Sequence, residues 1–376
     1  MIFSVLTGLL TGAGFGVVLY KVGATRYSRV MGMLTVRDTK VMKFTFATIA
    51  TASVLYGVAA TTGLAEPLNL VPRVMPFMGW AHVVGGVLFG ASMGTWGLCP
   101  GTCVAKAGGR GGEKKFTGLA SIVGLISGIL IYAWVKQPLT DAGVIATNQK
   151  PMTLHGVLGL PYGAVALIFG ALMLLVAYTV DSLTPERSYP PAREKQSLLD
   201  TVRGEWTWLA SGITGGVLIV LATAQGGYLG FSGAALAVVG WASHLVGLPM
   251  ELVPKINADI AWRAALLVGV FPGAVLAHRL SIPSAAAVAA GPVKKVFSAR
   301  ALGGSFTAGA TMSLGAMIGG GCTTGAFLAA WPTLSIGSFA MAGTFFAVSM
   351  GVALGRLLLR RYDLAQAQLI GDRVYD

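Results

Sequence analysis

Long apolar segments recur along the whole chain and are separated by short polar connections. Ten such segments stand out, most of them about 20 residues long, the length that an α-helix needs to cross the hydrocarbon core of a bilayer. They cover approximately residues 2–20, 41–63, 77–96, 116–135, 154–180, 206–228, 231–249, 261–280, 303–317 and 335–359. The pattern predicts an all-α polytopic membrane protein.

Basic residues predict the orientation of these helices, because Lys and Arg concentrate in cytoplasmic loops. The connection Lys21–Lys43 carries six Lys or Arg residues against one acidic residue, Asp38, so we expect it in the cytoplasm and the N-terminus outside. A cytoplasmic C-terminus is predicted by the arginines that follow the last segment, Arg356, Arg360 and Arg361. The basic stretch 279–300 would fall outside if segment 231–249 crossed fully. We therefore interpret that segment as re-entrant and count about nine full spans.

The longest polar stretch, 181–205, divides the chain into two halves. It contains three prolines and nine charged residues, and polar Pro-rich sequence is typical of connections. We therefore predict an N-terminal transmembrane repeat at 1–180, a cytoplasmic linker at 181–205 and a C-terminal transmembrane repeat at 206–376.

Composition supports a membrane protein and narrows its chemistry. Hydrophobic residues make up 55% of the chain and charged residues 11%, against about 25% charged residues in soluble domains. The net charge of +13 fits a basic cytoplasmic face and also attracts anions. The basic residues are spread through short loops, which argues against nucleic-acid binding. Three cysteines are too few for a disulfide framework, and the histidines show no metal-ligand spacing, so we predict no metal and no cofactor.

Two glycine-containing motifs interrupt the apolar segments, one in each half, and together they hold all three cysteines. Clustered glycine disfavours helix, so a helix should stop at each motif. Gly97–Thr102 (GLCPGT) aligns with Gly320–Gly325 (GGCTTG). The alignment predicts two pseudo-symmetric inverted halves whose broken helices meet near the membrane midplane.

The chemistry of the two breaks suits an anion. A helix that begins after a break presents unpaired backbone N–H groups and the positive end of its dipole, and Pro at the first position or Thr as a cap favours such a start. A neutral thiol is polarisable and a weak donor, so Cys99 and Cys322 can contact a sulfur-bearing anion without trapping it. We predict an anion path that also includes the residues around them, Gly97, Gly101, Thr102, Cys103, Gly320, Gly321, Thr323 and Thr324.

Simpler roles for these residues stay open. A buried cysteine is often a small packing side chain, above all Cys103, which shares only a helix face with Cys99. His82 and His244 lie within apolar segments and either line a path or hydrogen-bond between helices. Trp96, beside the first break, either gates the path or packs.

The two cysteine motifs with their surroundings resemble the YeeE/YedE family of sulfur-compound transporters, whose studied members take up thiosulfate. The resemblance covers nearly the whole chain and rests on five stretches, Gly12–Gly16, Gly32–Lys43, Gly85–Gly101, Arg300–Gly304 and Gly315–Gly325. It implies an hourglass-like inverted-repeat fold with re-entrant pieces, in which Cys99 and Cys322 at the narrow part pass thiosulfate along by S–H···S contacts. Members with a third cysteine place it in the first loop, where this chain has Thr25, whose hydroxyl can donate to an anion oxygen. The resemblance also implies a small cytoplasmic sulfur carrier of the TusA type as a partner.

We therefore predict an inner-membrane transporter, not an enzyme, that takes up a small sulfur-containing anion, thiosulfate first. The alternative is a membrane redox or persulfide-carrying protein that uses Cys99 and Cys103 as a thiol pair. A scaffold subunit with structural cysteines is the third hypothesis.

Overall fold

The computed structural model of the chain describes residues 1–108, 113–147, 149–184, 203–245, 247, 257–281 and 299–359. The α-helices of these residues are α1 (Ile2–Lys21), α2 (Tyr27–Leu34), α3 (Lys40–Thr61), α4 (Ala81–Trp96), α5 (Pro100–Ala107), α6 (Glu113–Asp141), α7 (Leu154–Leu158), α8 (Tyr162–Leu183), α9 (Trp208–Ala224), α10 (Phe231–Leu245), α11 (Ala258–Leu280), α12 (Ala299–Gly319) and α13 (Ile336–Leu358). A π-helix, Thr323–Ala329, lies between α12 and α13.

Several predicted connections fall partly outside the described residues. They are 109–112 in the turn after α5, 185–202 in the linker, 282–298 in the basic stretch after α11, and Arg360 and Arg361 at the end of the chain. The predictions about these residues stay predictions.

The all-helical membrane architecture is confirmed. Among the described residues, seven helical stretches are long and apolar enough to cross a membrane, with 81–107 counted as one of them. The bent pair of α12 and the π-helix, with a 46° bend, would make an eighth. The described helices that are long enough to cross a membrane are therefore fewer than the nine full spans that we predicted. Besides α10, which we expected to be short, α9 has only 17 residues.

One predicted segment, 154–180, is not continuous. Helix α7 ends at Leu158, and Gly159 follows with a left-handed φ of 66°. Pro161 then lies in extended backbone before α8 begins. A Gly with positive φ and a Pro two residues later end one helix and start the next, and apolar periodicity alone does not reveal such a break.

The helices pack in pairs along their lengths. Helix α1 packs on α11 and α9 packs on α3, while α6 packs on α12 and α13 packs on α4. Helices α4 and α12, which lead into the two breaks, also pack on each other. Helix α8 lies outside this set and packs on α3.

Small residues make these contacts possible, and large apolar residues face outward. A Cβ added at Gly85 of α4 would lie 2.5 Å from the Gly315 carbonyl oxygen of α12, and one added at Gly315 would lie 2.6 Å from the Phe89 nitrogen. Trp134 and Ile168, by contrast, are 85% and 68% exposed. This arrangement is typical of helices in lipid, where close backbone approach replaces a large-residue core.

A small sheet ties three connections together at one end of the bundle. Strand β1 (Pro76–Phe77) pairs antiparallel with β2 (Lys150–Pro151), with Pro76 opposite Pro151. Thr153 forms an isolated antiparallel bridge with Ser335. The connections before α4, before α7 and before α13 therefore lie on the same side.

We expect Gly315→Ala to destabilise the fold, because the new methyl group meets backbone atoms that cannot rotate away. Overpacking of this kind costs about 1–3 kcal/mol or more. Gly343→Ala is the matched control, since Gly343 lies in the helix α13 with nothing within 4 Å of an added Cβ. It should be neutral or stabilising by up to about 1 kcal/mol through helix propensity. Thermal unfolding midpoints of the purified proteins in detergent measure both effects. Equal midpoints for the two variants would contradict the close contact of α4 and α12 at Gly315.

Candidate functional site

The first break begins where α4 ends. Gly97 is the C-cap residue of α4 in the left-handed region, with φ 60°, and Cys99 in extended backbone is the N-cap residue of α5. The Thr102 hydroxyl accepts a hydrogen bond from the Cys99 backbone N–H at 2.7 Å, and the Cys99 side chain accepts from the Thr102 backbone N–H. Pro100 is the first helical residue, as predicted, but the cap is the cysteine and not a threonine. The capping interaction therefore fixes the Cys99 thiol at the start of α5.

The second break repeats this arrangement with a different helix. Helix α12 ends at Gly319, Gly320 has a φ of 87°, and Cys322 in extended backbone is the N-cap residue of the π-helix. The Ala326 backbone N–H donates to the Cys322 carbonyl at 2.7 Å. Widened helical turns of this kind are frequent at functional sites.

The two breaks meet. The Cys99 sulfur lies against the hydroxyl groups of Thr102 and Thr323 and close enough to Cys322 to interact with it electrostatically. The Thr323 hydroxyl oxygen is buried, and among the described residues the Cys99 sulfur lies against it. Cys322 is fully buried and Cys99 is half-buried, and both are free thiols. A buried hydroxyl and two thiols from different halves of the chain thus share one place.

Cys103 lies one turn along α5 and is fully buried. Its sulfur contacts Ser121 of α6, and its thiol also lies near Cys99. Its thiol is free. The structure therefore brings Cys99 and Cys322 together from distant sequence positions and directs Cys103 into the packing between α5 and α6.

The other predicted residues surround this place. A Cβ at Gly97 would lie 2.7 Å from the Tyr27 ring of α2, and one at Gly101 would lie 2.4 Å from the Phe231 ring of α10. Gly321 lies against Ala326 of the π-helix, and Thr324 is buried. Thr25 lies in the α1–α2 connection, two residues before Tyr27.

Trp96 and His82 both pack between α4 and α12. An added Cβ at Gly304 would lie 2.3 Å from the Trp96 ring. His82 is fully buried; its Nε2 accepts from the Met78 backbone N–H at 2.9 Å, and its Nδ1 lies 2.9 Å from the Gly319 carbonyl oxygen. Because Nε2 accepts, the proton is on Nδ1 and the ring is neutral. His82 therefore forms the hydrogen bonds that hold the end of α12 immediately before the second break.

A polar cavity beside the second break was missed by sequence reasoning. The Tyr228 hydroxyl donates to the Gly325 carbonyl of the π-helix, and the Arg73 guanidinium lies 5.4 Å above the Tyr228 ring. Both side chains line a cavity of about 250 Å³, together with Asn69, Val71, Thr223, Gly226, Gly227 and Arg263. Arg263 could have been found, since an Arg within an apolar segment marks a path or a site. Arg73 lies in a polar connection and gives no such signal.

Broken helices that meet inside a helical membrane bundle define a membrane transport protein rather than a soluble enzyme. The chain belongs to the sulphur transport family, whose sequence model matches residues 27–353. It is similar to the thiosulfate transporter TsuA of Spirochaeta thermophila, with 26% identity over 365 residues that cover 90% of this chain and 95% of that protein. The family resemblance of the cysteine motifs is thereby confirmed, and so is the prediction that the protein is a transporter and not an enzyme.

We expect His82→Phe to destabilise the protein, because it leaves the buried Met78 N–H and Gly319 carbonyl without partners. Each unpaired buried group costs about 1–3 kcal/mol. His244→Phe is the matched control. The His244 Nε2 is buried and has no hydrogen-bond partner among the described residues, so its removal leaves no former partner of that nitrogen unpaired. Thermal unfolding in detergent compares the two variants. A His82→Phe midpoint equal to that of His244→Phe would show that the bridge to Gly319 contributes nothing.

Proposed function

We propose that the protein takes up thiosulfate through a central path whose narrow part lies between Cys99 and Cys322. The observation that carries this proposal is the meeting of the two breaks, each with a cysteine at the N-cap of the following helix. The name of the similar transporter TsuA supports thiosulfate as the substrate. In the proposed mechanism the anion crosses without forming a covalent bond to the protein.

The groups at the narrow part suit a sulfur oxyanion. Thiosulfate presents oxygen atoms at one end and a polarisable sulfur at the other. The buried Thr323 hydroxyl can donate to an oxygen, and the Cys99 and Cys322 thiols can donate weakly to the terminal sulfur. These are neutral donors, so they replace part of the hydration shell without the tight ion pair that would slow release.

A cavity with two arginines supports capture of the anion on one side of the narrow part. Arg73 and Arg263 line it with Asn69. Tyr228 separates this cavity from the π-helix, because its hydroxyl donates to the Gly325 carbonyl. Arg263 also pairs with Asp259 at 2.9 Å, which holds its guanidinium in place. An anion drawn to the arginines would thus arrive next to the residues of the second break.

The packing partners support two related halves, 1–180 and 206–376, joined by the linker 181–205. Four helices of the first half match four of the second: α1 matches α9, α3 matches α11, α4 matches α12 and α6 matches α13. If matched helices are exchanged, the contact between α1 and α11 becomes the contact between α9 and α3. The contact between α6 and α12 likewise becomes the contact between α13 and α4. The central α4–α12 pair is converted into itself. We propose that the halves form an inverted repeat of about nine spans with the two breaks at its centre.

The orientation follows from the distribution of basic residues. We propose an inner-membrane protein with the N-terminus outside. The connection Lys21–Lys43 is strongly basic, so it lies in the cytoplasm, as does the C-terminus. The arginine cavity then opens outside, and transport is inward. A small sulfur carrier of the TusA type is proposed as the cytoplasmic acceptor from the family resemblance.

We expect Cys99→Ala and Cys322→Ala each to reduce thiosulfate uptake by about tenfold or more, a loss of about 1.4 kcal/mol in transition-state stabilisation. Each removes one of the two thiols at the narrow part. Uptake of radiolabelled thiosulfate into proteoliposomes measures the effect, and size-exclusion profiles in detergent check that the variants fold.

Cys103→Ala is the matched control and should retain uptake within about twofold, because the Cys103 sulfur contacts Ser121 of α6. If Cys99→Ala and Cys103→Ala each abolished uptake, the result would favour a thiol pair of Cys99 and Cys103 over the proposed path. Full uptake by both Cys99→Ala and Cys322→Ala would refute the role of the thiols.

We expect Arg73→Gln to raise the KM for thiosulfate several-fold and to change the maximal rate much less, because the arginine attracts the anion before the narrow part. Lys136→Gln removes a positive charge from an exposed position near the connection that carries β2, on the same side but outside the cavity. Its KM should stay close to that of the parent. Equal changes in KM for the two variants would indicate that general surface charge, and not the cavity, attracts the anion.

A further inference from the structure

Three cations converge on one carboxylate where the two halves of the chain meet. The Glu205 carboxylate contacts Arg26 through one oxygen, and its other oxygen lies 3.3 Å from an Arg29 nitrogen and 3.4 Å from the Lys40 Nζ. Arg26 and Arg29 come from the start of α2 and Lys40 from the start of α3. The Lys40 and Arg29 side chains are 4% and 15% exposed, and those of Arg26 and Glu205 are 35% and 30% exposed, so two of the cations are enclosed while the carboxylate can be reached from solvent.

Glu205 stays ionised in this pocket. Burial by itself would raise the pKa of the carboxyl group, but the charges of Arg26, Lys40 and Arg29 outweigh it and hold the pKa below its usual range. At neutral pH the three cations therefore hold a negatively charged group with two acceptor oxygens.

The residues around Glu205 are hydrogen-bonded to residues at the ends of other helices. The buried Lys21 at the end of α1 donates through Nζ to the carbonyl oxygens of Arg203 and Gly204 at 2.8 and 3.2 Å. The same nitrogen donates to the Ser281 hydroxyl after α11 at 2.8 Å, and the Trp206 N–H donates to the Lys21 carbonyl. Glu205 thus reaches the cations from a segment with a fixed position.

This pocket is next to the first break and far from the arginine cavity. Arg26 immediately precedes Tyr27, whose ring packs against Gly97 two residues before Cys99. Glu205 lies three residues before α9, whereas Thr223 of the arginine cavity lies at the other end of that helix. A helix of this length extends about 25 Å, so the two groups of cations are at opposite ends of the bundle.

Two guanidinium groups and an ammonium group form a typical donor set for an oxyanion. Arg presents paired N–H donors that match two oxygens of one anion, and Lys adds a point charge. The Glu205 carboxylate uses these donors as an external anion would, while Arg29 also pairs with the Asp38 carboxylate at 2.6 Å. The oxygens of thiosulfate or sulfate present the same acceptors with one more negative charge.

We propose that Arg26, Arg29 and Lys40 form an oxyanion-binding site at this end of the path, which Glu205 occupies as a tethered competitor until the transported anion displaces it. This rests on the proposed function, because it places the site on the route of a sulfur oxyanion. A tethered group has an effective concentration in the millimolar range or above. Glu205 therefore returns readily to the cations and promotes release of the anion after it has passed Cys99.

The test is thermal unfolding of the full chain in detergent during titration with sodium thiosulfate or sodium sulfate, with sodium chloride at equal ionic strength as the baseline. In Glu205→Gln the carboxylate competitor is lost. The anion concentration for half-maximal stabilisation should fall by about tenfold or more relative to the parent. Glu205→Asp keeps the charge on a shorter side chain, so its half-maximal anion concentration should lie between those of the parent and Glu205→Gln. This variant replaces Glu205→Gln in the test if the Gln variant does not fold.

Asp181→Asn is the matched control. The Asp181 carboxylate pairs with one cation, Lys43, at 2.6 Å, so its loss should lower the midpoint in chloride without shifting either anion titration. Adding Arg29→Gln to Glu205→Gln should remove the gained sensitivity to both anions. If Glu205→Gln and the parent respond to thiosulfate and sulfate at the same concentrations, Glu205 is a structural ion-pair partner and the proposal is overturned.

The same titrations in the Cys322→Ala background separate this inference from the transport proposal. The site uses cations and not thiols, so the shift caused by Glu205→Gln should persist there. Loss of the shift in that background would place the anion at the cysteines and overturn the inference. Uptake measurements on Cys322→Ala, in contrast, decide only whether the thiols carry transport.

Discussion

The close crossing of α4 and α12 is the contact on which the rest of the structure depends. At Gly85 and Gly315 the two backbones approach so closely that an added side-chain carbon would overlap backbone atoms. In lipid there is little hydrophobic force to bring helices together, and packing of small residues takes its place. Because each of these helices leads directly into a break, their contact brings two distant cysteines into one place.

Hydrogen bonds stabilise the irregular backbone at both breaks. The capping interaction between Cys99 and Thr102 satisfies the start of α5, and His82 satisfies both the Met78 N–H and the end of α12. An unsatisfied backbone group within a membrane protein is costly, so these bonds stabilise irregular backbone inside the bundle. The Thr323 hydroxyl is buried against the Cys99 sulfur. In the proposed mechanism it donates to an oxygen of the passing oxyanion.

Charges are concentrated at the two ends of the bundle, and neutral groups lie between them. Arg73 and Arg263 line the cavity at one end, and Arg26, Arg29 and Lys40 surround Glu205 at the other. Between the two, the cysteines and Thr323 offer polarisable or weakly donating groups. In the proposed mechanism, cations draw an anion toward each end, while the neutral middle avoids a deep energy minimum that would hold it.

The sequence by itself determined the membrane class, most helix positions and the two breaks. Apolar length and glycine clusters are local properties, and they predicted that helices stop near Gly97 and Gly320. The cysteine motifs also pointed to the correct family. The start of α8 was missed, because a single Gly–Pro interruption at 159–161 barely changes an apolar pattern.

Only the tertiary structure decided which residues share the site. Cys99 and Cys103 are four residues apart, yet one lies at the meeting of the breaks and the other faces Ser121. The direction of a side chain around a helix depends on which neighbours pack on each face, and those neighbours come from distant positions. The same holds for Arg73, Tyr228 and Glu205, whose roles depend on partners in the other half of the chain. Residue type predicts what a group can do, and packing decides what it meets.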